Sequence, residues 1–351
     1  MGLSIQNLTV YIGFCLSVLI NGFLLYMIKN KTTKQLGYYK YLMMSFSIFE
    51  LMFSTIDILN QPLIYVCDGD FIFFSENPLH LPDTLAKVFH VLNFAFCGMI
   101  IWLLALHFVY RYLAVCRNHL LTNFEQYLLR IWITVILGFG LEWFSVSLFL
   151  GDTLDESCAV DLTSLQDYFD LQPFVVVFTG IRYFRRKSAG KFCFNSILLA
   201  LLLLKIVVIS GIVVLYCGLR TFYQMKLKRM STSTKTLIMQ KQLFRALVVQ
   251  TLIPIFLLYT PLITLFIAPI FNWNLTNLDA ILQFSLVFYP ILDPFAVLFL
   301  VRDYKKSMKK MLDTFTSRFY RLFETSSPYI ISPSQVVPPL APTYNVAAHI
   351  Y

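Results

Sequence analysis

The sequence predicts an all-α integral membrane protein, a bundle of seven membrane-spanning helices with its N-terminus outside and its C-terminus inside. Three observations carry this. Of 351 residues, 58% are hydrophobic and only 13% charged, about half the ~25% charge of a soluble domain. Apolar runs of about 20 residues, enough to cross a bilayer, recur seven times. Lysine and arginine crowd into alternate connecting segments, the bias that sets membrane orientation.

The first run, at about 8–28, has no basic residue ahead of it and ends at Lys29 and Lys31. That pattern suits a retained anchor over a cleaved signal peptide. The second, 41–66, is the most polar and carries Glu50, Asp57 and Pro62. The third (88–115), fourth (127–150), fifth (194–219), sixth (243–270) and seventh (276–301) follow. They complete a receptor body expected over 1–312. Over 302–323, Tyr304, Met308, Met311, Leu312, Phe315, Phe319 and Leu322 recur every three or four residues, with lysines on other faces. This is an amphipathic helix suited to the inner leaflet. The proline-rich remainder, 324–351, is expected to be disordered.

Summed over alternate segments, eighteen basic residues lie on one side and six on the other, and the rich side is assigned to the cytoplasm. Five of the six (Arg182, Arg185, Arg186, Lys187 and Lys191) share one outer loop and oppose the bias. Both N-x-T sequons, at Asn7 and Asn274, fall on the outer side. Asn7 is the better glycosylation candidate.

Several function classes are excluded. The seven cysteines contain no CxxC pair, the five histidines no HExxH, and neither phosphate-loop nor dinucleotide glycine patterns occur. No enzyme, metal or cofactor is expected. The net charge of +9 sits beside the spans, where it meets membrane lipids and not nucleic acid.

Four motifs remain: LGYYKYLM (36–43), HFVYRYLAVCR (107–117), QKQLFRALVVQTLIP (240–254) and FYPILDPFAVLFLVRDYKK (288–306). In this order and spacing the chain resembles the nematode Str seven-transmembrane chemoreceptors (serpentine receptor class r), a family that includes a receptor for the odorant diacetyl. The resemblance covers about residues 1–310. It implies the fold of a G-protein-coupled receptor, a small-molecule odorant, a heterotrimeric G protein and the plasma membrane of sensory-neuron cilia. It leaves open whether the receptor dimerises. Other function classes compatible with seven spans are a ligand-gated channel, a transporter or a non-signalling heteromer partner.

Within that frame Arg111 occupies the place of the arginine in the Asp-Arg-Tyr triplet of rhodopsin-like receptors. Here the triplet is Tyr110-Arg111-Tyr112, without the acid. Its guanidinium offers five donors in a fixed fork. It can act as a switch released toward a G protein, or snorkel to lipid phosphates. Tyr289, Pro290, Asp293 and Pro294 resemble the proline-containing hinge of the seventh helix. An acid at that depth is costly and usually functional. Arg245 lies on a basic surface at the start of span six, with Pro254 as a pivot. Lys205, the one full cation at mid-membrane, is expected to face the bundle and pair with Glu142, Glu50 or Asp57, or to contribute to a ligand site. Cys67 and Cys158 both fall outside and can form a disulfide; Cys116 is read as inert. A ligand pocket is expected between the outer halves of spans three, five, six and seven. By depth it draws on Asn93, Phe94, Cys97, Asn195, Leu198, Tyr259, Phe266, Gln283 and Phe284.

Overall fold

The computed structural model describes residues 2–31, 38–67, 69–151, 177–184, 192–227, 238, 241, 244–245, 248–249, 251–271, 273, 275 and 279–325. Among these, seven helices are long and apolar enough to cross a bilayer. They are α1 (Gly2–Lys31), α2 (Tyr39–Asn60), α3 (Asp83–Cys116), α4 (Asn118–Leu150), α5 (Phe194–Leu227), α6 (Thr251–Phe271) and α7 (Asp279–Leu300). An eighth, α8 (Arg302–Thr325), carries exposed Met311, Leu312, Phe315 and Phe319 at helical spacing. Among the described residues, those from Lys306 to Thr325 belong to a unit separate from the rest. The expected disordered tail lies outside the described residues beyond Thr325.

The second span departs most from expectation. Helix α2 stops at Asn60, because Gln61 turns left-handed at φ 44 and its N–H closes on Asp57 O at 2.7 Å. Pro62 follows and cannot continue the helix. The apolar run 61–66 instead enters strand β1 (Leu63–Cys67), which pairs with β2 (Asp70–Ser75), and β2 pairs with β3 (Val177–Arg182), all antiparallel. A short apolar run bounded by turns fits a buried strand as well as a helix, so periodicity does not separate them. Register places Leu63 opposite Phe74, and Asp70 opposite both Cys67 and Arg182. Every residue of β2 is buried. Helix α4 starts at Asn118, far ahead of the expected 127, because its first turns are too polar to register as a span; the apolar window begins only at Arg130.

Two helices carry prolines that lipid would punish, since a carbonyl left without a donor in hydrocarbon costs several kcal/mol. In α7, Pro294 cannot donate to the carbonyl of Pro290 one turn back. Asn21 of α1 donates its Nδ2 to that carbonyl at 2.8 Å. In α6, Pro254 is followed by a π-helical turn, Ile255–Tyr259, and Pro261 sits at the next turn's start. The wider turn absorbs the missing donor. Thr260 returns both its N–H and its Oγ1, the latter at 2.7 Å, to Ile255 O.

Helix α3 is the most buried of the seven and forms the bundle's axis. Gly13 lets α1 approach α7: a Cβ there would stand 2.3 Å from Val287 Cγ1, whereas nothing lies within 4 Å of one at Gly22. Gly13→Ala is therefore expected to destabilise the fold by about 1–3 kcal/mol through overpacking against a stiff β-branched side chain. Gly22→Ala should be neutral or stabilising by up to about 1 kcal/mol from helix propensity. Thermal unfolding of the purified protein in detergent compares the pair.

Candidate functional site

The sheet closes one end of the bundle over a cavity. Phe71 and Phe73 of β2, with Ile64 of β1, form its roof; Phe53 and Asp57 of α2, Asn93, Phe94 and Cys97 of α3, Trp143 of α4, Phe266 of α6 and Gln283 of α7 are among its walls. Free volume is about 40 Å³. That is a few times the ~10–15 Å³ a water needs, so it suits a molecule of a few heavy atoms. The roof is fastened from several sides. Phe73 packs on Phe94 and His90 with centroids at 4.9 and 5.0 Å, and Phe71 packs on Phe266 at 6.3 Å. Asp70 and Arg182 form a buried salt bridge across β2 and β3. The Tyr183 hydroxyl donates to Phe266 O of α6 at 2.8 Å, and burial pushes its phenol up from the ordinary tyrosine range.

Three polar side chains interrupt the apolar wall. Gln283 donates its Nε2 to Pro62 O at 2.8 Å, which leaves Oε1 buried without a hydrogen bond. Asn93 lies beside Asp57, yet its Nδ2 makes no hydrogen bond of good geometry. An acceptor and a donor thus lack a well-formed hydrogen bond in the cavity wall, and such groups are costly unless something meets them.

Of the expected pocket residues, Asn93, Phe94, Cys97, Phe266 and Gln283 line this cavity together. Helix α5 supplies none. Asn195 is exposed and Leu198 half-buried in its first turns. Tyr259 turns away to share a 3.1 Å hydrogen bond with Ser210, and Phe284 stands one residue round α7 from Gln283, half-buried. What reading by depth missed is α2 and the sheet. Asp57 was noticed as an acid but not as a cavity wall.

Below the cavity a polar path runs through the core. Tyr289 is buried within electrostatic reach of Cys97 above it and of Glu50 and Asp293 below. Glu50 of α2 and Asp293 of α7 face each other, both fully buried, beside Ser47 and His107. Ser54 donates to Ser17 at 2.7 Å, and Asn21 reaches both Ser17 and Pro290 O. Acids on α2 and α7 thus meet within the stretch of α7 that carries Pro290 and Pro294.

At the opposite end stands the Tyr110-Arg111-Tyr112 triplet. Each member addresses a different helix. Tyr110 donates to Glu125 Oε1 of α4 at 2.7 Å. Arg111, 6% exposed, lays its guanidinium over the ring of Tyr39 of α2, 3.7 Å from the centroid. Tyr112 packs on Tyr216 of α5 at 6.0 Å. Tyr39 is itself held between Tyr110 and His107. Arg111 Nε and Nη2 make no hydrogen bond among the described residues. With no acid beside it in sequence, the arginine is restrained by an aromatic face, worth about 0.5–2 kcal/mol, and keeps free donors. Arg245 is exposed near Lys226 and Lys241 on a basic groove between α5 and the start of the sixth span.

Lys205 pairs with Glu142. Of the three acids weighed for it, Glu50 is committed to Asp293 and Asp57 to the cavity. The expectation that Lys205 faces the bundle interior is not met, since its side chain is 44% exposed on the outer surface. Asn7 sits half-buried within α1. Cys193 is disulfide-bonded, although no motif in the sequence marks it. Cys158 and the side chain of Cys67 lie outside the described residues, as does Asn274.

The geometry agrees with the comparisons. A family model for serpentine type 7TM GPCR chemoreceptors, Str, matches residues 6–309. The chain belongs to the Str chemoreceptor family. Serpentine receptor class r-10 of Caenorhabditis briggsae is 32% identical over 305 residues, covering 85% of this chain and 88% of that one. Its Caenorhabditis elegans counterpart is 30% identical, covering 86% and 89%. Squid rhodopsin superposes with a TM-score of 0.58 at 13% identity over 88% of this chain and 85% of its own, a likeness of fold. The Str chain is thus a multi-pass membrane receptor of a non-enzymatic family.

Removing one partner of a buried ion pair leaves an uncompensated charge. Arg182→Met is therefore expected to lower stability by about 3–5 kcal/mol. Asp70→Asn in the same chain should recover part of it, read as a double-mutant cycle of thermal unfolding.

Proposed function

We propose that this Str receptor binds a small, largely apolar odorant in the cavity beneath the sheet and activates a heterotrimeric G protein from the opposite, cytoplasmic end. The observation that carries the reading is the pair of unsatisfied amide atoms, Asn93 Nδ2 and Gln283 Oε1, in a cavity walled otherwise by Asp57 and apolar side chains. A neutral ligand with one polar group meets either atom, and apolar walls bind the rest. Gln283 stands on α7, the helix that also carries Tyr289, Pro290 and Asp293. A ligand favouring one position of α7 shifts the bundle between two states by its differential affinity for them. Arg111 is released from Tyr39 in the active state and offers its free donors to the G protein. The lysine and arginine bias supports an N-terminus outside with α8 on the inner leaflet, and membership of a chemoreceptor family supports the plasma membrane, at the cilium of a sensory neuron, as the receptor's site.

Expression with a promiscuous G protein and a screen of small volatiles tests the reading. Against an active odorant, Asn93→Leu and Gln283→Leu should each weaken potency about tenfold, the loss of roughly one hydrogen bond, at unchanged surface expression. Phe284→Leu and Asn195→Ala should leave it alone. Unchanged potency in both cavity variants, or a ligand-gated current that survives G-protein blockade, would sink the proposal.

Ligand-free signalling tests the restraint. Tyr39→Leu removes the aromatic face under Arg111 and is expected to raise basal G-protein activation about fivefold, the equivalent of roughly 1 kcal/mol. Tyr39→Phe, which keeps the ring, should stay near wild type.

A further inference from the structure

The Lys205–Glu142 pair joins α5 to α4 on the outside of the bundle, with side-chain exposures of 44% and 27%. Lys205 lies eleven residues after Phe194, ~16 Å along α5 at 1.5 Å per residue, near the middle of the apolar run expected at 194–219. Ionised side chains at that depth almost always face a bundle interior or a water-filled cavity. This pair faces neither. Around it are exposed Leu141, Leu201 and Val208. One turn before Glu142 stands Gly138, with no atom within 4 Å of where a Cβ would project.

We propose that a second copy of this chain covers the pair, in a two-fold dimer through α4 and α5. The symmetry supplies the complementarity. A two-fold axis along the membrane normal sets α4 of each copy against α5 of the other and preserves depth. Glu142 of one copy then meets Lys205 of its partner, and the reverse. Four charges alternate in sign around the axis, each ion gains a second counter-ion, and both leave the lipid. Gly138 lets the backbones approach closely, as small residues do at helix contacts in membranes. A phospholipid headgroup is a poorer occupant, since the site lies in the acyl region. A helix of another protein would need its own matched pair, whereas a copy of this chain already carries one. The inference rests on the membrane-spanning fold and is independent of ligand and G protein.

The test uses the charge swap Lys205→Glu with Glu142→Lys in one chain. Wild type and swap both keep the internal pair, so both should fold and reach the surface. Each should self-associate. A mixed dimer, however, sets two carboxylates against each other at one contact across the axis and two ammonium groups at the other. Energy transfer between differently labelled copies in one membrane reads the three combinations. Like pairs should associate equally, and mixed pairs should fall at least tenfold below the random proportion. A second arm replaces both residues with Leu, and that variant's self-association should drop at least tenfold. Mixed pairs at the random proportion, a Leu variant that associates as wild type does, or a wild type that stays monomeric would each overturn the dimer.

Discussion

Backbone hydrogen bonding in a solvent that offers none is the constraint on which this structure depends. Pro294 deprives the carbonyl of Pro290 of its helical donor in the core of the bundle, and Asn21 of α1 supplies the replacement at 2.8 Å. Without that amide α7 would expose an orphan carbonyl at hydrocarbon depth, at several kcal/mol. The same contact locks α1 to α7, and Gly13 allows the approach by leaving room for Val287. It also brings Ser17 and Ser54 into one chain of hydrogen bonds. Helix α6 solves a like problem internally, with a π-helical turn ahead of Pro261. The two proline-bearing helices are thus supported differently. One leans on a neighbour and the other on its own Thr260.

These supports stand between the cavity and the arginine. Gln283 on the cavity wall, Tyr289 below it and Asp293 beyond lie along one helix, α7, and Glu50 meets Asp293 from α2. Helix α2 also carries Tyr39 under Arg111. The two ends of the bundle are therefore connected through α2 and α7, which pack directly on each other. The aromatic hold on Arg111 is weaker than a buried carboxylate pair would be, which favours ready release.

Much of the fold was legible, and for one reason. A segment that must satisfy its own backbone in lipid has to be a helix of a minimum length, so composition alone marks the seven spans. What was not legible lay where that rule lapses. Residues 63–66 are as apolar as the helix before them, yet they form a strand because Gln61 and Pro62 end α2 ahead of them. The first turns of α4 are helical but polar and carry no hydropathy signal. Cavity residues on α3 and α7 could be placed by depth, because helical periodicity sets which levels align. Tyr259, Phe284, Asn195 and Leu198 do not line the cavity, because side-chain direction depends on helix rotation, which position along a span does not give.

Taken alone, the sequence determined the fold class, the seven spans, the motifs of the Str family and the presence of an arginine without an acidic neighbour, because length, apolarity and order of residues are properties of a single chain. Tertiary structure decided which partners meet. It laid Arg111 on Tyr39, seated Asn21 on the carbonyl that Pro294 abandons, roofed the cavity with β1 and β2, and turned Lys205 outward onto Glu142. Each of these depends on how one helix is rotated against another, and that is set by the packing of all seven together.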